Sequence, residues 1–475
     1  MYQAIVLGIS ALLCVGVLLI FKNKEEDKFD KLLKVLTVVY CTVGFFRFFL
    51  TDAFIYVING GFFEEVKYTR TDILQSIIRW GYYVNYSAIP VAVFYKGRFF
   101  KNVVSYFGLP FSVLSVVFFD DFMKYFLAEN THGWALTPAV RYIFFILELV
   151  LAVAIPVLLQ IRKKHVFAFN KTEILNFLTG LPAVILICVP VYLPQSLFGY
   201  SVYTPKSGST FHLVWIAVLF AVTVGLYYAF RFKDRESRIQ LCMFLAILLF
   251  FHHQSLYLQG VNISRLPFQL CNIAAYFYLI ALIFKLKSFF HFAFIANIVG
   301  ALIAILMPDF SVGAEGFFNI HYIVEHSLDV MVPAMVMGLR IFPRVEKRTI
   351  KYTAIGFSIY FFAMFVVGTV LNGYSDVTGE VVNYFYMFDV EKALDFFPFL
   401  TIIEDIVVNI GRFTIYPLLV AIIYVAFSAL CLAFYLVVRF SYKLEDDHLA
   451  LRGSSIDLYE KLFKKPSRRP KQFVD

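Results

Sequence analysis

The stretch from Tyr2 to Phe21, YQAIVLGISALLCVGVLLIF, contains no charged side chain. A helix of this length rises about 30 Å, which is the thickness of the hydrocarbon core of a bilayer. Similar stretches recur along the chain and predict about thirteen transmembrane helices. The predicted spans are residues 2–21, 32–58, 73–95, 103–119, 139–160, 174–193, 211–230, 239–257, 267–284, 289–307, 317–339, 350–371 and 413–438.

The composition excludes a soluble domain. Of the 475 residues, 60% are hydrophobic, 19% are aromatic and only 16% are charged. A soluble fold of this size would need far more polar surface. The predicted fold class is therefore all-α, a polytopic bundle of membrane helices.

Lys and Arg cluster in alternate loops, which indicates that these loops are cytoplasmic. The basic loops are residues 22–31, 96–101, 162–164, 231–238, 285–287 and 340–351. We therefore expect a multi-pass protein of the plasma membrane with its N-terminus outside and its C-terminus in the cytoplasm. The first span lacks a basic leader and is followed by Lys22 and Lys24, so it is predicted to be a retained helix.

The formal net charge of +9 falls on the predicted inner face and in the tail, residues 441–475. This tail is predicted to form a short amphipathic helix over residues 456–463 and to bind anionic lipid of the inner leaflet. No nucleic-acid partner is predicted. The cysteines lack the paired spacing of a disulfide framework or a zinc site, so neither a metal nor a cofactor is predicted.

The chain is also predicted to contain a tandem repeat, because several polar residues recur at a nearly constant spacing. The corresponding pairs are Arg79 and Arg265, Asn85 and Cys271, Asp121 and Asp309, and Tyr142 and Tyr322. Two units of six spans each would face the same way in the membrane. The predicted divisions are a first helix and loop (1–30), a first repeat (31–232), a second repeat (233–440) and the basic tail (441–475).

Polar side chains of the second repeat are predicted to lie in one layer near the outer surface. Counting along each helix places Cys271 about one turn below the surface and His326 a little over two turns below it. On the helix that contains His326, residues three or four positions apart are neighbours on one face. Glu325 can therefore orient the imidazole of His321, and Asp329 that of His326. This is the arrangement that a nucleophile, a base and an orienting group need. The layer also contains Arg265, Gln269, Asn272, His252, His253, His321, Glu325 and Asp329.

Four short motifs in this half of the chain resemble the YwaF family of integral membrane proteins. They are Arg265-Leu-Pro-Phe-Gln-Leu-Cys-Asn272, Met307-Pro-Asp-Phe310, Ile320-His-Tyr-Ile-Val-Glu-His326 and Asn383-Tyr-Phe-Tyr-Met387. That family is related to the animal transmembrane protein 164, a lipid acyltransferase that works through a cysteine and a histidine. The resemblance covers residues 239–438. The chain departs from the family at Gln269, where members often carry histidine, and in having a further half before residue 239.

The resemblance implies that Cys271 accepts an acyl chain from a phospholipid as a thioester, with His326 as general base and then acid. Glu325 or Asp329 would hold the imidazole. Donors in a dry site of this kind usually stabilise the transition state strongly. The candidate residues for binding the oxyanion or the phosphate are Arg265, Gln269 and Asn272, and the further candidates for substrate binding are His252, His253 and His321.

Other interpretations of these residues stay open. A cysteine in an apolar helix is usually a small packing residue. Histidines and acids could hold a metal, although no HExxH motif is present. In the first repeat, Asn85 stands where the second has Cys271, which excludes thiol chemistry there. Arg79 and Arg141 are candidates for binding an anionic headgroup, while the alternative for Arg141 is an ion pair with Glu148.

Two classes of function follow. The first is an acyltransferase or lipase acting on outer-leaflet phospholipid, and the second is a lipid or small-solute transporter or flippase built from two parallel repeats. Whether the protein is an enzyme is left open by the sequence. The outer segment 380–412 is predicted to be either a lid over the site or an ordinary amphipathic loop helix.

Overall fold

The computed structural model is almost entirely helical, which confirms the predicted all-α fold class. The structure describes residues 1–21, 26–51, 70–95, 97–120, 138–162, 170–189, 201–254, 266–388 and 406–451, together with a few isolated residues between these ranges. The predicted amphipathic helix at 456–463 and most of the predicted outer segment, 389 and 391–405, lie outside the described residues.

The helices of the N-terminal part coincide with the apolar stretches of the sequence. They are α1 (Tyr2–Phe21), α2 (Glu26–Thr51), α3 (Arg70–Phe94), α4 (Arg98–Asn102), a π-helix (Val103–Gly108), α5 (Leu109–Val117), α6 (Pro138–Arg162), α7 (Lys171–Ile187), α8 (Thr210–Phe230) and α9 (Arg235–Gln254).

The C-terminal part adds further helices and a short hairpin. They are α10 (Leu270–Phe284), α11 (Lys287–Leu306), α12 (Phe317–Gly338), α13 (Lys347–Gly373), α14 (Ser375–Thr378), a 3-10 turn (Tyr384–Tyr386), β1 (Val408–Ile410), β2 (Phe413–Ile415) and α15 (Pro417–Leu451).

Every predicted span overlaps one of these helices, but the number that cross a membrane remains a prediction. Among the described residues, seven helices are long and apolar enough to cross one. They are Tyr2–Phe21, Arg98–Val117, Tyr142–Ile161, Thr210–Phe230, Lys287–Leu306, Lys347–Gly373 and Pro417–Ser441. The predicted division into two repeats is likewise untested.

Several of these helices expose their apolar side chains. Only 17% of the most apolar stretch of α8 and 22% of that of α13 is buried. In water such surfaces would drive association, whereas lipid tails solvate them at no cost. The exposed apolar faces therefore belong to a protein embedded in a membrane.

The chain packs as two compact units. The first contains Met1–Gly260 and Asp309–Val324, and the second contains Val261–Pro308 and Glu325–Asp475. In the first unit α6 packs on α1 and α2, and α3 packs on the π-helix and α5. The Tyr2 ring stacks on that of Tyr142 with centroids 4.8 Å apart, and the Ser10 hydroxyl lies 3.4 Å from the carbonyl oxygen of Val150.

In the second unit α11 packs against α10, α13 and α15. Phe357 of α13 stacks on Phe427 of α15 at 4.9 Å, and the Phe385 ring meets Phe361 at 5.2 Å. The aromatic side chains thus bring the backbone around Phe385 against the helices, which positions the segment that includes the 3-10 turn.

The hairpin corrects the predicted start of the last span. Phe413–Ile415, which the hydropathy assigned to the span, pairs antiparallel with Val408–Ile410, and α15 begins only at Pro417. Gly411 makes the turn at φ 62°, a conformation that favours glycine. Arg412 anchors the turn by donating two hydrogen bonds to the Asp376 carboxylate, at 3.0 and 2.9 Å.

Candidate functional site

Cys271 is the second residue of α10 and lies at the N-terminal end of an unusually short apolar helix. The fifteen residues of α10 rise about 22 Å, less than the roughly 30 Å of a bilayer core. The helix begins at Leu270 because Pro267 and the extended residue Gln269 precede it. If Phe284 lies at the membrane surface, Cys271 sits below the opposite surface, at the positive end of the helix dipole.

Cys271 differs from most of the other cysteines in its exposure. Cys271 and Cys41 are partly exposed, whereas Cys14, Cys188, Cys242 and Cys431 are buried. The Cys271 thiol donates to Oδ1 of the neighbouring Asn272 at 3.3 Å. Cys271 is thus a partly exposed residue at a helix N-terminus, and its predicted role as a nucleophile stays a prediction.

The acidic residues of α12 lie close to this thiol. Glu325, His326 and Asp329 are all buried, and the Cys271 thiol is within electrostatic range of both carboxylates. The second unit therefore brings together the predicted nucleophile and the two predicted orienting groups. His326 lies between these carboxylates on the same helix.

The two carboxylates differ in their bonding. Both oxygens of Asp329 are buried without a hydrogen-bond partner among the described residues. Tyr278 donates instead to the backbone carbonyl of Asp329, at 3.3 Å. Among the described residues Asp329 has no hydrogen bond to an imidazole, so the choice between Glu325 and Asp329 as the orienting group for His326 stays a prediction.

Three polar residues around the start of α10 were not among the predicted site residues. The Tyr360 hydroxyl, within electrostatic range of the Cys271 thiol, donates to the carbonyl of Phe268 at 2.6 Å. The Asn383 side-chain nitrogen and the Tyr384 hydroxyl are buried without hydrogen-bond partners in the described part of the chain. The sequence signal was the Asn383–Met387 motif, which served only for the family resemblance.

The segment after Asn383 is strained. Phe385 and Tyr386 adopt φ angles of 54° and 59°, in the left-handed region that costs a non-glycine residue free energy. The Asn372 side chain holds the preceding residue by two hydrogen bonds, accepting from Val382 N at 2.8 Å and donating to its carbonyl at 2.9 Å. Strain fixed by packing in this way is common at functional sites.

Gln269, the residue before α10, connects this segment to the cysteine helix. Its side-chain nitrogen donates to the carbonyl of Asn383 at 3.3 Å. Gln269 was predicted to bind an oxyanion or phosphate, but in this structure one of its donors supports the strained segment.

The predicted histidines of the first unit form a buried cluster. The rings of His252 and His321 stack with centroids 4.9 Å apart and an interplanar angle of 13°. Ring nitrogens of His253 and His321 lie within 4.8 Å of one another. Imidazole nitrogens are ligands that transition metals accept, and Glu325 follows His321 by one turn of α12. The predicted absence of a metal therefore stays a prediction.

The predicted arginines are only partly described. Arg79 lies in α3 and Arg141 in α6, but their side chains are outside the described residues, as is Arg265 entirely. Asn85, the counterpart of Cys271, is buried and donates to the Ser112 hydroxyl at 2.7 Å. Glu148 is also buried. The predicted headgroup site and the alternative ion pair of Arg141 are thus both untested.

Apolar helices with exposed sides, and ionisable residues buried between them, define a helical protein embedded in a membrane. Residues 207–435 match the TMEM164 family. This match supports a relationship between that part of the chain and the family, in agreement with the predicted resemblance to transmembrane protein 164. No curated protein and no solved structure matches the chain.

Proposed function

We propose that the C-terminal half of the chain is an intramembrane acyltransferase or lipase that acts on outer-leaflet phospholipid. The observation that carries the proposal is the partly exposed thiol of Cys271, at a helix N-terminus and within electrostatic range of Glu325 and Asp329. Buried ionisable groups at membrane depth are costly and are usually kept for function. The match to the TMEM164 family lies in the same half of the chain and supports the proposal.

In the proposed reaction Cys271 Sγ attacks the carbonyl carbon of a phospholipid ester, and His326 accepts the thiol proton. The negative charge of a preformed thiolate would be unfavourable near two carboxylates. We therefore propose that the thiol loses its proton to His326 during the attack and not before it. The ester C–O bond then breaks, and His326 returns the proton to the leaving oxygen of the lysophospholipid. The product on the enzyme is an acyl thioester.

The second half of the reaction reverses these roles. The hydroxyl of an acceptor lipid, or of water in the lipase case, attacks the thioester while His326 takes its proton. The C–S bond breaks and the proton returns to the thiol. Candidate donors to the oxyanion are the buried Asn383 side-chain nitrogen and Tyr384 hydroxyl, with Asn272, Gln269 and Arg265 as predicted from the sequence.

The test is to incubate the purified protein with a phospholipid that carries a labelled acyl chain and to search for the acyl thioester on Cys271 by mass spectrometry. We expect the adduct in the wild type, none in Cys271→Ser, and a strong reduction in His326→Gln. Cys41→Ser is the matched control, because Cys41 is the other partly exposed cysteine of the described chain. Turnover that survives in Cys271→Ser would contradict the proposal.

A transporter or flippase is the second candidate, and the unpartnered Asp329 carboxylate favours it. An acid buried at membrane depth beside a second acid is typical of proton or cation relays in carriers. A carrier would tolerate Cys271→Ser and would lose transport in Asp329→Asn, whereas the enzyme loses its thioester in Cys271→Ser.

The finer assignments from the sequence belong to the same proposal. We place the protein in the plasma membrane with its N-terminus outside and the basic tail on anionic inner-leaflet lipid. Membership of the YwaF family and the two parallel repeats are proposed on the motifs and spacings alone. The substrate-binding roles of His252, His253, His321, Arg79 and Arg141 are proposed on the same grounds.

A further inference from the structure

The first unit contains a cavity of about 660 Å³, lined by residues that are separate in the sequence from the cysteine site. Its walls come from the start of α4, the first half of α7, and the connection between α8 and α9. These elements adjoin three of the basic loops that the sequence assigns to the cytoplasm. The volume is within the usual range for small-ligand sites, roughly 300–1,000 Å³.

One wall of the cavity contains a carboxylate that lacks a donor. The Glu173 side chain is only 12% exposed, and its Oε1 is paired with Arg98. The other oxygen, Oε2, is buried without a hydrogen-bond partner in the described part of the chain. A buried carboxylate oxygen that accepts nothing costs free energy, so this atom is suited to a ligand that donates a hydrogen bond, and best to a cation.

A cationic group lies on another wall. Lys233 Nζ donates to Oδ1 of Asn176 at 3.2 Å, which uses one of its three donors. The remaining donors can bind an anion. The cavity thus offers an acceptor for an ammonium and donors for a phosphate, which together match a zwitterion.

The lining also contains three phenylalanines, Phe99, Phe177 and Phe230. They stand beside further polar residues, which include the acids Asp234 and Glu236. The Phe99 ring packs so closely on Gly180 that a Cβ there would lie 2.5 Å from it. Aromatic walls beside polar groups at the end of membrane helices suit a molecule with an apolar part, since a free polar solute would gain little from them.

We propose that this cavity binds the headgroup of an inner-leaflet phospholipid that has a primary ammonium and a phosphate, the phosphatidylethanolamine class. The ammonium donates to Glu173 Oε2 and the phosphate accepts from Lys233, while the glycerol region contacts the phenylalanines. Phosphatidylcholine has no N–H to donate and is therefore the discriminating ligand.

The experiment places the full-length protein in nanodiscs that contain equal amounts of phosphatidylethanolamine and phosphatidylcholine, and measures the lipids retained by native mass spectrometry. We expect the wild type to retain phosphatidylethanolamine about tenfold more than phosphatidylcholine, the size of effect that one charge-assisted hydrogen bond gives. Glu173→Gln and Lys233→Met are each expected to remove most of this preference. Asp309→Asn, an exposed charge change elsewhere in the same unit, is expected to keep it.

Lys233→Met leaves the Arg98–Glu173 ion pair intact, so it tests the site even if Glu173→Gln does not fold. Equal retention of the two lipids by the wild type, or a preference that survives in Glu173→Gln or Lys233→Met, would overturn the proposal. Displacement of the lipid by an equal concentration of water-soluble phosphoethanolamine would assign the cavity to a soluble ligand and overturn the lipid assignment. Continued retention in its presence supports the lipid.

Discussion

Lys285 ends the cysteine helix in a conformation that suits glycine better than lysine. Its φ is 55°, and the N–H of Leu286 bonds back to the carbonyl of Ala281 at 2.9 Å, as in a Schellman motif. We expect Lys285→Gly to raise the free energy of unfolding by about 1 kcal/mol because it removes the left-handed strain. Thermal unfolding in detergent measures the effect. Lys285→Ala, which keeps the strain, should bring no gain.

Asp329 is expected to lower the stability of the folded protein while being needed for its function. Its carboxylate is buried beside Glu325 without a hydrogen bond among the described residues. Asp329→Asn removes an ionisable group that is buried beside a second acid, and should stabilise the protein by roughly 1–3 kcal/mol. Under the proposed functions it should also lower acyl transfer or transport. Paired measurements of unfolding temperature and turnover test this, and a destabilised variant would contradict it.

At the scale of single residues the sequence predicted part of the candidate site. It singled out Cys271, Glu325 and Asp329, because polar residues in apolar helices stand out by type and depth, and their roles stay predictions. It did not locate Tyr360, Asn383 or Tyr384. Tyrosine is common at the ends of membrane helices, and the Asn383 contact with Gln269 joins residues 114 positions apart. Only tertiary packing brings such residues together.

At the scale of single helices, α9 is capped at its N-terminus by the acidic residue Asp234. Asp234 accepts from Ser237 N at 2.9 Å and from the Ser237 hydroxyl at 3.0 Å. Burial alone would raise the pKa of Asp234, but these hydrogen bonds to its carboxylate hold the pKa below its ordinary value. The cap is therefore strongest with the carboxylate ionised.

A lowered pKa fixes the pH dependence of this cap. Its contribution is fully present above about pH 4, the ordinary range of an unfolded aspartate, and is lost as the pH falls through the lower folded value. We expect Asp234→Ala to cost about 1 kcal/mol at pH 7. The difference from the wild type should shrink in more acidic buffer. Unfolding midpoints between pH 7 and pH 3 measure it, and Asp234→Asn, which keeps a cap, should show little pH dependence.

The helix boundaries show what hydropathy resolves and what it does not. The first span, residues 2–21, coincides with α1 because it is bounded by a charge-rich segment. The last span began in the sequence at Phe413, yet Phe413–Ile415 forms β2. Phe413 and Ile415 are apolar whether they lie in a helix or in a strand, so hydropathy does not distinguish the two. The pairing with Val408–Ile410 depends on a turn that hydropathy does not detect.

For the whole molecule, the predicted orientation follows from the basic loops together with the number of spans. With thirteen spans the two termini lie on opposite sides of the membrane. We expect an epitope at the N-terminus to be accessible on intact cells and one at the C-terminus to be accessible only after permeabilisation. Detection of both epitopes on the same side would require an even number of spans and would contradict the prediction.

The compact units are not contiguous in the chain, because residues 309–324 pack with the N-terminal part. Such an exchange leaves no local signal, because the same apolar residues serve either packing partner. The units describe packing, and the predicted division into contiguous repeats stays a prediction.

The shortness of α10 has a consequence for the surrounding lipid. A helix about 8 Å shorter than the bilayer core leaves a hydrophobic mismatch, which the membrane relieves by thinning at that point. Thinning draws nearby headgroups and their ester linkages toward the bilayer midplane. The deformation would thus carry the scissile bond down to Cys271, and its elastic cost would be lowest in thin membranes, where the protein would preferentially partition.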